Sequence, residues 1–441
     1  MPYIFQTSIF YNLQHIIISS PLYRKYFLLF NALDLSGIRD VNLGVGCTGN
    51  SKKAILRAFI IKHFEEIKSV PQLIEYLYNH PIIAELCGFN MNKKLPDESQ
   101  FYRFLKDINN SQLQRIHHAI NKKLIKEKIV SLDTFILDSK PVMAATKENN
   151  LKNPKRNTKD KHKQPKRNPV ATLGYYSYQE INGAKQNLLF YWGYRTHVIV
   201  SKQGIPLVEL TLPNNHTDAK VAEKLIRKLK RVYRFKKNAI FIADKAYDEK
   251  KLYDFIIDQL KCQAVIPLNP RNTQCDRKFN TNGIPLCDAD FEMKYNGTFA
   301  EANRTRKKYR CPIKASKSVA KQHPHGCPIK HDRFLTGKQY GCTRYVDITN
   351  DARARVPRES KYFKDTFRLR TEVERYFSRM GDREVEQTTH YKMKVIKNQM
   401  TLAHMCLSLV AFSAAILLKQ PDKIRCFRTF AHLPFHERSA A

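Results

Sequence analysis

The sequence predicts a mixed α/β protein, with a helical N-terminal part, a sheet in the middle and helices at the end. Three observations predict it. Apolar residues recur at helical spacing between about residues 50 and 128. Short apolar or alternating runs bounded by turn residues occupy 130–137, 188–200, 205–212, 239–243 and 264–268. Helical patterns at 217–231 and 249–260 then alternate with the last of these strands, which describes a mixed sheet rather than an all-β domain.

In the first part, Ile55, Leu56, Phe59 and Ile60 share one helical face, as do Leu73, Ile74 and Leu77 and then Ile82, Ile83 and Leu86. Pro71, Pro81 and Pro96 punctuate these helices. Pro96-Asp97-Glu98-Ser99 reads as a helix start, followed by Phe101, Phe104, Leu105 and a basic helix through 122–128. From residue 131 the pattern changes to strands, and the runs 188–200 and 205–212 are joined by a turn at Lys202-Gln203-Gly204. The stretch 147–167 is densely basic with nothing to build a core, so it reads as a loop or arm. Between 269 and 361 periodicity vanishes and Lys, Arg, Cys, Gly and Pro dominate, which marks an insertion outside the sheet. Helical pattern returns at 366–380 and 395–418. The expected domains are therefore 1–128 (helical, DNA-binding), 129–268 (first part of the core), 269–361 (basic insertion), 362–420 (rest of the core) and a tail at 421–441.

The chain has 441 residues, and 77 Lys and Arg against 40 Asp and Glu give a net charge of +37. A polyanionic partner follows, because neutralising phosphates releases counterions. Ten cysteines in a chain this long, behind an N-terminus with no basic leader or cleavage site, do not describe a secreted disulfide framework. The longest apolar stretch, 400–418, carries His404, Ser408 and Ser413, so it reads as a buried helix and not a membrane span. The expectation is a reduced, intracellular protein with no membrane partner.

Two strands run straight into an acid: ILDSKPV (136–142) ends on Asp138 just before Pro141, and FIADKAYD (241–248) repeats the placement at Asp244. A single aspartate there would be an ordinary turn or cap residue. Two in the same context suit a rigid site opened by loops, with oxygen ligands for a hard divalent cation. A third acid comes from RTEVER (370–375), where Glu372 and Glu374 differ by about 200° around a helix and cannot both face one site. Glu374 lies on the face of Arg370 and Phe377. Glu372 shares a face with Arg375, Tyr376 and Arg379, which reads as a solvated, salt-bridged surface. The expectation is Glu374.

These motifs resemble the DDE transposases of bacterial insertion sequences, in the group whose last motif reads Tyr-x2-Arg-x3-Glu-x6-Lys. ILDSKPV is similar to the first-Asp motif, 193–220 to the second and third strands with the Asn/Asp segment after them, IADKAYD to the second-Asp motif, and RTEVERYFSRM (370–380) to the Glu motif. The likeness runs from about 55 to 418. Phe367 stands where tyrosine is usual, which keeps a ring and loses a hydroxyl. Gly381 stands where lysine is usual, removing a phosphate contact that Arg379 or Arg383 is placed to supply.

The resemblance implies an RNase H-like mixed sheet flanked by helices. Asp138 and Asp244 would stand on adjacent strands and Glu374 on a later helix, together holding two Mg2+ (or Mn2+) ions about 3.5–4 Å apart. It further implies cleavage of double-stranded DNA at element ends and strand transfer into a target, with no covalent nucleophile. The Arg/His/nucleophile constellation of tyrosine or serine recombinases is not found despite 22 Tyr. The alternatives are a catalytically silent DNA-binding relic and a nuclease without strand transfer. A homodimer is a candidate assembly, because two ends must be brought together, and the expected place is the bacterial cytoplasm at the nucleoid.

Arg370, Arg375 and Arg379 on the Glu helix and Lys155, Arg156, Lys166 and Arg167 in the basic arm are the expected DNA contacts, the arm being followed by Tyr175, Tyr176 and Tyr178 as stacking rings. In the insertion, Cys287, Cys311, Cys327 and Cys342 are candidates for a small Zn2+ module, set against the reading of scattered free thiols, since no CxxC knuckle is present.

Overall fold

A computed structural model describes residues 13–41, 49–150, 164–179, 186–269, 279–280, 282–301, 304–336, 339–349, 351–381 and 386–426. Two units make up the chain: Met1–Ser131 with Ser139–His216 and Glu374–Ala441, and Leu132–Asp138 with Thr217–Val373.

The first unit is built on helices whose starts the sequence encodes. Ser51, Ser69, Asp97 and Asn109 each accept a backbone N–H at the head of the helices Lys52–Phe64, Val70–Asn79, Glu98–Asp107 and Asn110–Lys126. Asn109 and Gln112 form a reciprocal capping box. Helix Met393–Phe412 is buried almost throughout. By length and composition it is apolar enough to cross a membrane, yet 89% of that window lies inside the protein. Its polar groups are met there: Asn398 donates to the Leu105 and Ile108 carbonyls, Thr401 donates to Glu209, His404 bonds Thr196 and Tyr376, and Ser408 bonds His117. Each would be costly left unmade in a dry core.

Strand β1 (Thr134–Met143) passes from the second unit into the first. In the first unit β2 (Thr172–Gln179) and β4 (Pro206–Pro213) both pair antiparallel with β3 (Gln186–Ser201), along its first and second halves respectively. In the second unit β5 (Ile240–Ile242) runs parallel to β1 and to β6 (Gln263–Val265). The strand order is β2-β3-β1-β5-β6 with β4 on β3, a mixed sheet of the RNase H-like type.

Several expectations change. β1 does not stop at Asp138 but runs on through Pro141. Its partner β5 ends at Ile242, so the later half of β1 has no β5 neighbour needing a ladder N–H, and proline is tolerated. Strand β2 was not anticipated, although TLGYYSYQ is rich in aromatic strand formers. The segment 366–380 is two helices, Lys361–Phe367 and Thr371–Met380, joined by a 3-10 turn at Arg368–Arg370.

The insertion is not without a core. It carries its own antiparallel sheet, β7 (Lys294–Glu301), β8 (Arg304–Arg310) and β9 (Thr343–Asp347), over a small cluster of Cys287, Met293 and Tyr309. Both ends of the insertion are tied to one buried acid. Asp248, 4% exposed, accepts the Asn269 N–H at 2.7 Å, the Tyr253 hydroxyl at 3.0 Å and both arms of the Arg353 guanidinium at 2.6 Å. Arg358 closes the network on the Tyr253 hydroxyl and the Ile266 carbonyl. Burial alone would raise the Asp248 carboxyl, but the Arg353 hydrogen bonds and charge and the Asn269 N–H outweigh it and hold it below the usual aspartate range.

Breaking one side of a bidentate buried pair leaves the other charge stranded, at a cost of about 3–5 kcal/mol. Asp248→Ala and Arg353→Ala are each expected to lower stability by that order in urea unfolding, and a loss under about 1 kcal/mol would show the pair to be dispensable. A carboxyl with a depressed folded pKa stabilises above its unfolded value, about 3.9. The wild-type advantage over Asp248→Ala should therefore be level from pH 8 to about 5. It should shrink only as the pH falls below about 4 and through the lower folded value.

Candidate active site

Strand register sets the two aspartates. Thr134, Phe135 and Ile136 of β1 face Ile240, Phe241 and Ile242 of β5. Continuing that parallel register by two residues places Asp138 beside Asp244, and alternation puts both side chains on the face of Ile136 and Ile242. Asp244 keeps extended backbone, φ −78° and ψ 178°, so strand geometry persists to it before the turn Lys245–Tyr247 begins. Neighbouring strands lie about 4.8 Å apart, a spacing that suits two carboxylates sharing cations.

The electrostatics agree. Asp244 accepts the Ala246 N–H at 2.8 Å. Burial raises its carboxyl above the usual range, Asp218 at the head of helix Asp218–Val232 adds to that, and the Ala246 N–H, Arg370 and Lys245 oppose it without cancelling it. Burial thus makes the charged carboxylate costly there, and an added cation would favour that form. Asp218 is not singled out by the sequence, where it lies within the Asn/Asp segment that follows the third strand.

Arg370 closes the 3-10 turn before helix Thr371–Met380, with its guanidinium 5.9 Å from the Phe367 ring, which itself stacks on Phe363. The aromatic function at Phe367 is therefore kept. Glu374 follows one turn after Arg370 and is exposed, as is Arg375. Glu374 falls in the first unit, Asp138 and Asp244 in the second.

The helix phase expected for Glu372 is overturned. Glu372 is 7% exposed and lies on the buried side with Val373, Tyr376 and Met380, not on a solvated surface, and Phe377 is at the edge of burial at 9%. The reason is that Tyr376 and Met380, one and two turns on, are core residues and carry Glu372 inward with them.

Among the other expected residues, Lys166 and Arg167 are exposed, while Lys155 and Arg156 lie outside the described residues, as does Arg383. Arg379 donates to the Gly204 carbonyl at 2.7 Å, in the turn between β3 and β4. Lys140, two residues after Asp138, was not singled out. Its ammonium pairs with Glu386 at 2.8 Å, reaches the Phe377 carbonyl at 3.4 Å and stands 3.7 Å from where a side chain on Gly381 would begin. A cation from β1 thus stands where the motif's lysine would be rooted.

Among the described residues no three His, Cys, Asp or Glu are gathered closely enough to hold a metal ion, and this applies to the cysteines as to the carboxylates. Cys311 and Cys342 share a thiol hydrogen bond, which together with backbone N–H groups of Lys314 and Ile313 draws the Cys311 thiol down to about 6, and both, with Cys287 and Cys327, are free thiols.

Comparison with known proteins gives a consistent picture. The family described as "Transposase DDE domain" matches residues 131–409, and the one described as "Transposase domain (DUF772)" matches residues 33–107. DDE transposases generally use divalent metal ions. No curated protein matches the chain. Among solved structures, "Mos1 transposase paired-end complex with left transposon end" matches at 14% identity over 55% of this chain and 66% of that one, just under two thirds of its length, with a TM-score of 0.17. A score that low carries no argument.

A carboxylate that desolvation and a second acid hold above its usual range costs stability in exchange for a site. Asp244→Asn should therefore unfold at the same temperature as wild type or slightly higher in EDTA. Added Mg2+ should raise the midpoint of wild type, by mass action on the folded state, and leave that of Asp244→Asn unmoved. An equal Mg2+ response in both would remove Asp244 from the metal site.

Proposed function

The chain belongs to the DDE transposases, and we propose that it cuts DNA at the ends of a bacterial insertion sequence and joins the freed strand to target DNA. The observation that supports the proposal is the parallel register of β1 on β5, which pairs Ile136 with Ile242, each two residues before the aspartate of its motif. In this reading Asp138, Asp244 and Glu374 hold two Mg2+ ions. The ions would activate water or a DNA 3′-hydroxyl and steady the leaving oxygen of an in-line displacement. The residues fit in charge and donor type: oxygen ligands, one of them desolvated beside another acid.

The chain's own groups do the rest. Arg370, whose charge already acts on Asp244, stands one turn before Glu374, where a scissile phosphate would approach. Lys140, neutralised by Glu386, fixes the end of the Glu helix through the Phe377 carbonyl, a positioning role. Duplex DNA is the proposed partner, held by a charge of +37 that includes Lys166, Arg167 and Arg375. Two ends have to be held at once, so the proposed active form is a homodimer working at the nucleoid.

The test is Glu374→Gln beside Glu372→Gln on duplexes that carry the element's own ends. Glu374→Gln should cut Mg2+-dependent nicking by about 100-fold or more while binding DNA within about twofold of wild type. Glu372→Gln should keep nicking, because its carboxylate is buried and off the exposed side of the helix. The reverse outcome would make Glu372 the ligand. Nicking without joining to a second DNA would leave a nuclease, and binding without nicking in the wild type would leave a relic.

A further inference from the structure

We propose that the outer face of the β7-β8-β9 sheet is a stacking platform for unpaired bases of a DNA strand. Alternation along β8 sends Arg306, Lys308 and Arg310 to one face and Lys307 and Tyr309 to the other. The second face is the inner one: Tyr309 is buried with Cys287 and Met293, and Lys307 is buried and pairs with Glu359. On the first face the register sets Phe299 opposite Arg306 and Tyr345 opposite Lys308.

An antiparallel sheet with one face in solvent normally dresses it in polar groups. Here Phe299 and Tyr345 are each 47% exposed in the middle of that face. Single exposed rings are common and need no explanation. These are not single. The Lys308 ammonium lies 4.5 Å from the Tyr340 ring centre, 5.8 Å from Tyr345 and 5.9 Å from Phe299. Arg306 lies 4.9 Å over Tyr345 and Arg310 5.8 Å over Tyr340. The Arg310 Nε has no hydrogen-bond acceptor among the described residues. Three rings and three cations therefore interleave on one flat surface, and the acid there, Asp347 opposite Arg306, leaves the charge positive.

That pattern has a specific complement. A base stacks on an open ring face while its phosphate meets the neighbouring cation, and such contacts tolerate any sequence because every base has a π face. A closed duplex keeps its base faces inside the stack, so only unpaired nucleotides can use the rings. An enzyme that cuts and joins strands meets such nucleotides at frayed and severed ends. The inference rests on the reading of this chain as one that acts on DNA, and extends it to a second, non-catalytic site.

The experiment measures full-length protein by fluorescence anisotropy in EDTA, against a labelled single-stranded thymidine oligonucleotide and a blunt duplex of equal length. Phe299→Ala and Tyr345→Ala should each weaken single-strand binding about tenfold and leave duplex binding within about twofold. Tyr345→Phe should bind as wild type. Lys308→Gln should weaken single-strand binding and lower its salt slope by about 0.7. Unfolding midpoints confirm that the exposed-ring variants are folded. Unchanged single-strand binding in both ring variants would overturn the platform, as would an equal loss on duplex. A change in sedimentation without a change in DNA binding would show a self-association face instead, and also overturn it. Because no metal is present, ring-dependent binding by a protein that never cuts would sink the transposase activity and keep the platform. Cutting by a protein with no ring dependence would do the opposite.

Discussion

The second unit depends on one buried ion pair. Asp248 receives Asn269, where the chain leaves β6 for the insertion, and Arg353, where it comes back. More than eighty residues can be inserted there because their ends are pinned at a single carboxylate. Closing a long loop costs only slowly more entropy as it lengthens, so the demand falls on the closure point and not on the loop's interior. Asp248 also stands one turn after Asp244 in IADKAYD. The loop that presents Asp244 is thus held by the same group that closes the insertion, and the approach of Arg370 to Asp244 is set within one body.

This explains what the sequence could and could not reveal. The two aspartates were legible because strand-then-acid is a local pattern, and parallel pairing of β1 with β5 then brings identical contexts into register. The insertion's sheet was not, since β8 reads RTRKKYR and a strand with a charged face and an inner face of Lys307 and Tyr309 shows no apolar alternation. Its core is assembled from Cys287, Met293 and Tyr309, whose spacing matches neither a helix nor a strand period. Asp248 was read as part of a motif and not as a closure point, because its partner lies 105 residues away.

Glu372 shows a different limit. A helix of four charged and six uncharged residues can be turned several ways when charged groups are assumed to face water. The packing of Tyr376 and Met380 decided the turn, and it buried a carboxylate. Glu374 stays exposed one turn after Arg370, while Glu372 is part of the core.

Gly381 carries the same lesson into the site. Judged by motif, the chain has lost a lysine and with it a contact. Judged by position, a lysine ammonium from β1, two residues beyond Asp138, stands beside the place where that side chain would begin, held by Glu386 and the Phe377 carbonyl. The substitution is not neutral, because an ammonium already paired with a carboxylate offers a phosphate much less than a bare one would. Its effect is instead to tether the Glu helix to the strand that carries the first aspartate. A motif residue defines a place in space, and what fills that place, with what remaining charge, determines the chemistry left to it.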